Sequence, residues 1–343
     1  MDQFQKYSVD VNDFLYTHRV SVAVTITTAC ALFALRRYLQ GGVCRSTVKL
    51  HNRTVLITGA NTGIGRETAR DLAIRGARVI LACRDMKRAQ EAADDIKRST
   101  GNLNVVVYKL DLASLESVRD CVKEVLQNED RLDILINNAG VVMMIYCKTK
   151  DGFEMQLGTN HLGHFLFTNL LLDLVKKSAP SRIINVSSRA HMNGRINLED
   201  LNGEQTYRPF YAYAQSKLAN ILFTRELDRR LKGTGVTVVS LHPGGVVSDL
   251  GMNISRELPI YFRLPVLILY HGLIRHLMKT TTAGAQTTLH CALAPEVEQQ
   301  SGKYFSDCAV LEPTALAQDD AMASKLWSVS EKMYIDCFET SVP

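Results

Sequence analysis

The chain lacks the residue spacing of a metal centre. It has eight cysteines and nine histidines among 343 residues, but no Cys-x-x-Cys occurs. We interpret His161 and His164 as packing or solvated surface rather than as a ligand pair. The cysteines are scattered along the chain, which favours a reducing compartment. We therefore expect no bound metal.

Internal repeats, low-complexity tracts and a nucleic-acid surface are also missing. The net charge is only +5, and neither Lys176-Lys177 nor Arg229-Arg230 is interleaved with aromatic residues. We expect both pairs on solvated helix faces and no nucleic acid as a partner. After an N-terminal extension about 290 residues remain, and with 46% hydrophobic residues they suffice for a single α/β domain.

Apolar strands alternate with amphipathic helical stretches through most of the sequence. The alternation predicts a parallel sheet with helices on both faces, a doubly wound Rossmann-type domain over residues 51–335. Ligands of such a sheet bind beyond the carboxyl ends of the strands. The predicted strands are Thr54–Thr58, Arg78–Ala82, Val105–Tyr108, Ile134–Ile136, Arg182–Val186 and Val236–Leu241.

The first predicted strand runs into a glycine-rich turn and then into a helical stretch, Arg66–Arg75. The glycines follow Gly-x-x-x-Gly-x-Gly spacing, and they let a phosphate approach the N–H groups at the helix N-terminus. An ordinary strand-to-helix turn is the alternative, but the flanking strand and helix favour dinucleotide binding. The predicted cofactor contacts in this turn are Gly59, Asn61, Gly63, Ile64 and Gly65.

The end of the second strand indicates which dinucleotide is bound. Arg84 can neutralise a 2'-phosphate, which favours NADP(H) over NAD(H). The adjacent Asp85 is the alternative contact, as a ligand of the ribose 2'-hydroxyl. Both residues are predicted to bind the cofactor.

Two further strand ends offer cofactor contacts. Asp111 and Leu112 follow the third strand, where Asp111 suits an adenine edge, a helix N-cap or both. The fourth strand ends in a small, amide-rich stretch that permits close backbone approach, although a plain turn has the same composition. The predicted contacts there are Asn138, Ala139 and Gly140.

Tyr213 and Lys217 are four residues apart in a predicted helix, so the phenol and the ammonium lie on one helix face. A phenol with a pKa near 10 becomes a usable acid or base near neutrality only beside positive charge. Lys217 and the cationic ring of an oxidised nicotinamide could supply that charge. Tyr-x-x-x-Lys alone also occurs on solvated surface, so the assignment depends on the other motifs.

Together these motifs resemble the short-chain dehydrogenase/reductase superfamily and, within it, the membrane-associated retinol dehydrogenases. The resemblance covers about residues 49–335. The superfamily pattern is matched at Thr58, Gly59, Gly63, Gly65, Asp111, Asn137–Gly140, Asn160, Ser188, Tyr213, Lys217 and Pro243-Gly244. The longer subfamily stretches are Leu81–Asp85, Asp151–Gln156, Asn160–Phe165, Ser216–Asn220 and Leu241–Gly244.

The resemblance implies a catalytic role for four residues. Ser188, preferred to its neighbour Ser187, would bind the substrate oxygen about 3 Å from the Tyr213 hydroxyl, which donates the proton during carbonyl reduction. Lys217 would bind the nicotinamide ribose and lower the phenol pKa. Asn160 would hold a water that links Lys217 to solvent, with a hydrogen bond to a neighbouring helix as the alternative.

The resemblance also implies cofactor contacts at Pro243 and Gly244, followed by an apolar substrate lid at about residues 245–280. We expect this lid to touch membrane lipid and to admit retinal or retinol. Steroids and lipid-derived aldehydes are the alternative substrates. A nucleotide-binding scaffold without turnover is the alternative of another class, and a homodimer is left open.

The N-terminal extension predicts a membrane anchor. We divide it into a polar segment (1–19), an anchor (20–37) and a linker (38–50), and residues 336–343 form a tail. The uncharged run Val20–Leu35 spans only about 24 Å, so a buried core helix is the alternative. Basic residues that follow it place the catalytic domain in the cytosol. We expect the endoplasmic reticulum membrane, with a mitochondrial membrane as the alternative.

Overall fold

The computed structural model describes residues 18–247 and 278–339, with side chains to Ile335 in the last helix. The chain consists of two units, Met1–Gly41 and Gly42–Pro343. The first unit contains helix α1, Arg19–Leu39, and the second contains the sheet.

Helix α1 is longer than its uncharged run because Arg36, Arg37, Tyr38 and Leu39 continue it. Its 21 residues span about 31 Å, which matches a bilayer core of about 30 Å. None of its side chains is buried. With a mean hydropathy of 1.4 it is long and apolar enough to cross a membrane.

The second unit is built on a sheet of eight strands in the order β3-β2-β1-β4-β5-β6-β7-β8. Neighbouring strands are parallel as far as β7, and β8 is antiparallel to β7. The predicted doubly wound fold is therefore confirmed. The strands are β1 (Thr54–Thr58), β2 (Arg78–Cys83), β3 (Val105–Lys109), β4 (Ile134–Asn137), β5 (Ser181–Val186), β6 (Val236–His242), β7 (Tyr304–Ser306) and β8 (Ala309–Val310).

Helices cover both faces of the sheet. The chain passes through a π turn, Gly158–Leu162, and short 3-10 turns at Arg189–Asn193, Pro295–Gln300 and Ala315–Gln318. The α-helices of this unit are α2 (Gly63–Ile74), α3 (Met86–Thr100), α4 (Leu115–Asn128), α5 (Met155–Leu157), α6 (Gly163–Lys177), α7 (Pro209–Arg230), α8 (Thr281–Leu293) and α9 (Asp320–Glu339).

The core has two layers because successive side chains of a strand point to opposite faces. In β1, Leu56 packs into the layer beneath α4, α6, α7 and α9. Its neighbours Val55 and Ile57 pack into the layer beneath α2, α3 and α8. All five residues of β1 are buried, as expected for a central parallel strand. Packing on both faces thereby holds the strands in place below their carboxyl ends.

Candidate active site

The carboxyl ends of the parallel strands border a cleft of about 630 Å³. Every predicted cofactor-binding or catalytic residue lines it except Asn160. These lining residues are Gly59, Asn61, Gly63, Ile64, Gly65, Arg84, Asp85, Asp111, Leu112, Asn138, Ala139, Gly140, Ser188, Tyr213, Lys217, Pro243 and Gly244.

The glycine-rich turn depends on glycine at two positions, Gly59 and Gly65. Gly59 adopts a φ of +66°, in the left-handed region that favours glycine. A Cβ on Gly65 would lie 2.6 Å from Asn138 Nδ2 and 2.7 Å from the Gly59 oxygen. No side chain caps the first turn of α2, which begins at Gly63. The turn therefore offers backbone N–H groups to a phosphate, and a pyrophosphate fits it.

Two exposed arginines follow β2, Arg84 directly after the strand and Arg88 in the first turn of α3. Both line the cleft. The Asp85 carboxylate caps α3 by accepting a hydrogen bond from Arg88 N at 3.1 Å. Arg88 was not among the predicted cofactor contacts.

Asp111 does not cap a helix. Its carboxylate accepts a hydrogen bond from Ala113 N at 3.1 Å, within the turn that follows β3. The N-cap of α4 is Ser114, whose hydroxyl accepts from Ser117 N at 3.3 Å. The predicted N-cap was therefore wrong by three residues, because the chain makes one extra turn before the helix. Asp111 itself still lines the cleft.

The loop after β4 is held from beneath by Thr58. The Thr58 hydroxyl accepts hydrogen bonds from Asn138 N and Ala139 N, each at 2.9 Å. The next residue, Gly140, leaves space for two site groups. A Cβ there would lie 3.3 Å from both Asn160 Oδ1 and Lys217 Nζ. A side chain at this position would therefore press on both groups.

The two serines after β5 have different partners. Ser187 is buried and donates a hydrogen bond to the Lys217 backbone oxygen at 2.7 Å. Ser188 lines the cleft, is hydrogen-bonded to Tyr213, and accepts a hydrogen bond from Ala190 N at 3.2 Å. Ser187 borders the cleft as well, so the choice of Ser188 over Ser187 stays a prediction.

Lys217 is a buried ammonium. Only 3% of the residue is exposed, and its Nζ donates to the Val186 oxygen at 3.1 Å. Burial lowers the pKa of Lys217 to about 8. Its Nζ lies 5.8 Å from the centre of the Tyr213 ring.

The expected lowering of the phenol pKa is not what the protein's own groups produce. Burial raises the pKa of Tyr213, and the hydrogen bond with Ser188 acts in the opposite direction as the smaller effect. The reason is that removing the phenolate from water costs more than this hydrogen bond returns. The positive charge needed to activate the phenol must therefore come partly from outside the side chains.

Asn160 lies in the π turn behind the cleft. Its Oδ1 accepts from Val141 N at 2.7 Å, and its Nδ2 donates to the Val141 oxygen and to Ser216 Oγ, each at 3.0 Å. The side chain thus makes the hydrogen bond to a neighbouring helix that was considered as the alternative. π turns are frequent at functional sites. The water link to Lys217 stays a prediction.

His161 and His164 are both buried, with 1% and 2% of each residue exposed. The expectation of packing is confirmed and that of solvated surface is wrong. Burial lowers the pKa of His161 to about 4 and that of His164 to about 3. Among the described residues no group of three or more His, Cys, Asp or Glu side chains could hold a metal ion.

The predicted lid lies mostly outside the described residues. The residues on either side of that segment are paired. Val247 N donates to the Lys279 oxygen at 3.0 Å, and Lys279 N donates to the Gly245 oxygen at 2.8 Å. Before this pair, Gly244 has a φ of +90° and packs against the Lys279 side chain.

Known proteins share both this sequence and this fold. A family model for short chain dehydrogenases matches residues 53–259. Human retinol dehydrogenase 11 is 52% identical over 296 residues, which are 86% of this chain and 90% of that protein. A Mycobacterium paratuberculosis crystal structure is 38% identical with a TM-score of 0.66, covering 85% of this chain and 97% of its own. A Pseudomonas aeruginosa protein, solved as an active-site complex with NADP, is 25% identical with a TM-score of 0.59, covering 75% and 95%.

Proposed function

We propose that this chain transfers a hydride between NADP(H) and a hydrophobic aldehyde or alcohol. The premise is that it belongs to the short-chain dehydrogenase family and is an oxidoreductase. Retinal and retinol are the first substrate pair. The observation that carries the proposal is the placement of Ser188, Tyr213 and Lys217 in one cleft with the glycine-rich turn.

The residues of the cleft suit a dinucleotide. Gly59, Gly63 and Gly65 would hold the pyrophosphate, Asp111 the adenine side, and the Asn138–Gly140 loop the nicotinamide half. When bound, NADP(H) supplies or accepts the hydride and, in its oxidised form, a cationic ring. That ring would add to the positive charge of Lys217 near the Tyr213 hydroxyl.

The preference for NADP(H) over NAD(H) rests on the arginines after β2. Arg84 and Arg88 both face the cleft, where a 2'-phosphate would meet two guanidinium groups. Asp85, the alternative ribose ligand, is engaged in capping α3. The bound NADP in the Pseudomonas aeruginosa relative is consistent with the same preference.

The protein's own contribution to the chemistry is orientation and proton transfer. Ser188 would hold the substrate oxygen beside the Tyr213 hydroxyl, which gives its proton to that oxygen in reduction and takes one in oxidation. Lys217 would bind the ribose and hold positive charge next to the phenol. Asn160 fixes Val141 at the far end of the loop that borders the lysine.

The substrate class comes from the relatives and from the anchor. Two proteins similar in sequence, human retinol dehydrogenases 11 and 14, are named for retinol, and α1 suits a membrane, where retinoids dissolve. We place the enzyme in the endoplasmic reticulum membrane with its catalytic unit in the cytosol. Protease digestion of sealed microsomes should degrade that unit, whereas protection would contradict the orientation.

Turnover measurements test the proposed activity. The full chain should be assayed with retinal, a steroid ketone, a lipid-derived aldehyde and a short soluble aldehyde, each with NADPH and NADH. We expect retinal with NADPH to have the highest kcat/KM, because each buried methylene contributes about 0.8 kcal/mol. A better steroid or lipid aldehyde would change the substrate class. Absence of turnover with all four would favour the non-catalytic scaffold.

A further inference from the structure

His164 joins two parts of the cleft wall that are distant in sequence. Its Nε2 lies 2.9 Å from the Thr58 hydroxyl at the carboxyl end of β1. Its Nδ1 lies 3.1 Å from the backbone oxygen of Asn160 in the π turn. All three residues are buried. One imidazole ring therefore bridges the glycine-rich side of the cleft and the turn behind Lys217.

The hydrogen bonds at Thr58 determine which nitrogen of His164 carries the proton. A hydroxyl has two lone pairs and one hydrogen. Both lone pairs of Thr58 Oγ1 accept backbone N–H groups, those of Asn138 and Ala139, so its hydrogen is left for His164 Nε2. Nε2 is then unprotonated, and Nδ1–H donates to the Asn160 oxygen. Because burial lowers the pKa of His164 to about 3, the ring stays neutral and keeps this tautomer.

These bonds hold both ends of the loop after β4. Thr58 binds the first two N–H groups of the loop, and Asn160 binds the N–H and the oxygen of Val141 at its other end. His164 is hydrogen-bonded to both of these residues. Between the two ends lies Gly140, where an added Cβ would come within 3.3 Å of Lys217 Nζ.

We propose that His164 is a positioning residue that, as the Nδ1–H tautomer, sets the Asn138–Gly140 loop and Asn160 in one arrangement around Lys217. The Thr58 side of the ring orders the loop that would border the cofactor. The Asn160 side orders the turn beside the lysine. Loss of either bond should therefore have its own kinetic effect.

His161 provides a matched control. It lies three residues earlier, is equally buried and is also neutral. Its Nε2 lies 2.9 Å from Ser330 Oγ in α9, and its ring packs against Phe165 and Phe223. Like His164 it does not line the cleft, but its hydrogen bond goes to α9 rather than to Thr58 or Asn160. Substitution of His161 thus measures the stability cost of altering a buried histidine in this helix.

The first test reads the tautomer directly and does not depend on the proposed function. The full chain labelled with nitrogen-15 histidine should show one ring with a protonated Nδ1 and an unprotonated Nε2, unchanged across neutral pH. The signals are assigned by their loss in His164→Gln. An Nε2–H tautomer at His164, or titration near neutrality, would overturn the proposal.

The second test separates the two bonds and rests on the proposed function. In His164→Gln the amide takes the place of Nε2 and can keep the bond to Thr58. In His164→Asn the amide takes the place of Nδ1 and can keep the bond to Asn160. We expect the Gln variant to lower kcat about tenfold with NADPH affinity kept, and the Asn variant to weaken NADPH binding about tenfold with a smaller change in kcat, the scale of one buried hydrogen bond.

His161→Gln should lower the melting temperature about as much as the two His164 substitutions do. It should change neither kcat nor NADPH affinity. Parallel losses of kcat, NADPH affinity and melting temperature in all three variants would show a purely structural role. Unchanged kinetics in both His164 variants would also overturn the proposal. Should one His164 variant fail to fold, the other assigns the His164 signals and the tautomer measurement decides.

Discussion

The buried carboxylates Asp133 and Glu129 at the amino end of the parallel sheet and the buried Lys217 at its carboxyl end have different partners. At the amino end, Asp133 is paired with Arg53 and Arg131, both at 2.6 Å, and Glu129 with Arg78 at 2.7 Å. At the carboxyl end, no carboxylate among the described residues forms a salt bridge with Lys217, whose ammonium contacts a backbone oxygen. Charges that neutralise each other stabilise the fold. A buried charge without a counterion costs stability and is available to a ligand.

The largest effect should come from the phenol at the carboxyl end. Tyr213→Phe removes the proton donor, so turnover of retinal should fall by about 100- to 10,000-fold while NADPH binding, followed by fluorescence, is kept. Tyr211→Phe is the control, because that tyrosine is 58% exposed on the same helix. Substantial turnover in Tyr213→Phe would mean that another group donates the proton.

The amino end should respond in the opposite way. Asp133→Asn leaves two guanidinium groups without their shared carboxylate, and we expect a loss of about 2 to 3 kcal/mol in the free energy of unfolding. The kcat/KM of the folded protein should be unchanged. The exposed pair Lys148–Glu204 supplies the control, since Glu204→Gln should leave stability nearly unchanged. A loss of activity without a loss of stability in Asp133→Asn would contradict a purely stabilising role for the charges at the amino end.

At the carboxyl end, the choice between NADPH and NADH is expected to depend on Arg84. Arg84→Ala should weaken NADPH binding by about 10- to 100-fold, the scale of one charge-assisted contact, and should barely affect NADH. Lys87→Ala is the control, because Lys87 is also exposed but does not line the cleft. Equal effects of Arg84→Ala on the two cofactors would refute the assignment of the 2'-phosphate.

The smallest effect is a pH dependence of stability. Burial lowers the pKa of Lys217 to about 8, whereas an unfolded lysine titrates near 10.5. Above pH 8 the unfolded chain binds one more proton at this site, so stability rises with pH, by about 1 kcal/mol between pH 8 and pH 9. Denaturant unfolding should show this rise in the native chain relative to Lys217→Met. Parallel curves for the two proteins would contradict the buried ammonium.

The sequence predicted the elements with strong patterns. All six long parallel strands lie within one residue of their predicted bounds, because β-branched runs flanked by helical stretches have few alternatives. The strands β7 and β8 were missed, since three and two residues are too few to show a period. β7 pairs along the edge of β6, and β8 pairs in turn with β7.

Within the site, sequence motifs identified residues whose chemistry is visible in their type and spacing. They could not show that Asn160 lies in a π turn, that Ser114 rather than Asp111 caps α4, or that His164 differs from His161. Those distinctions depend on which groups tertiary packing brings within hydrogen-bond distance. The burial that raises the pKa of Tyr213 is likewise not visible in a four-residue spacing.

The central claim is that the carboxyl edge of the sheet holds a hydride-transfer site with Tyr213 as its proton donor. The most direct measurement incubates the full chain with retinal and NADPH that carries deuterium at both C4 positions of the nicotinamide. We predict retinol with one deuterium at the carbinol carbon, and almost none of this product from Tyr213→Phe. Retinol without deuterium, or no retinol from the native chain, would contradict the claim.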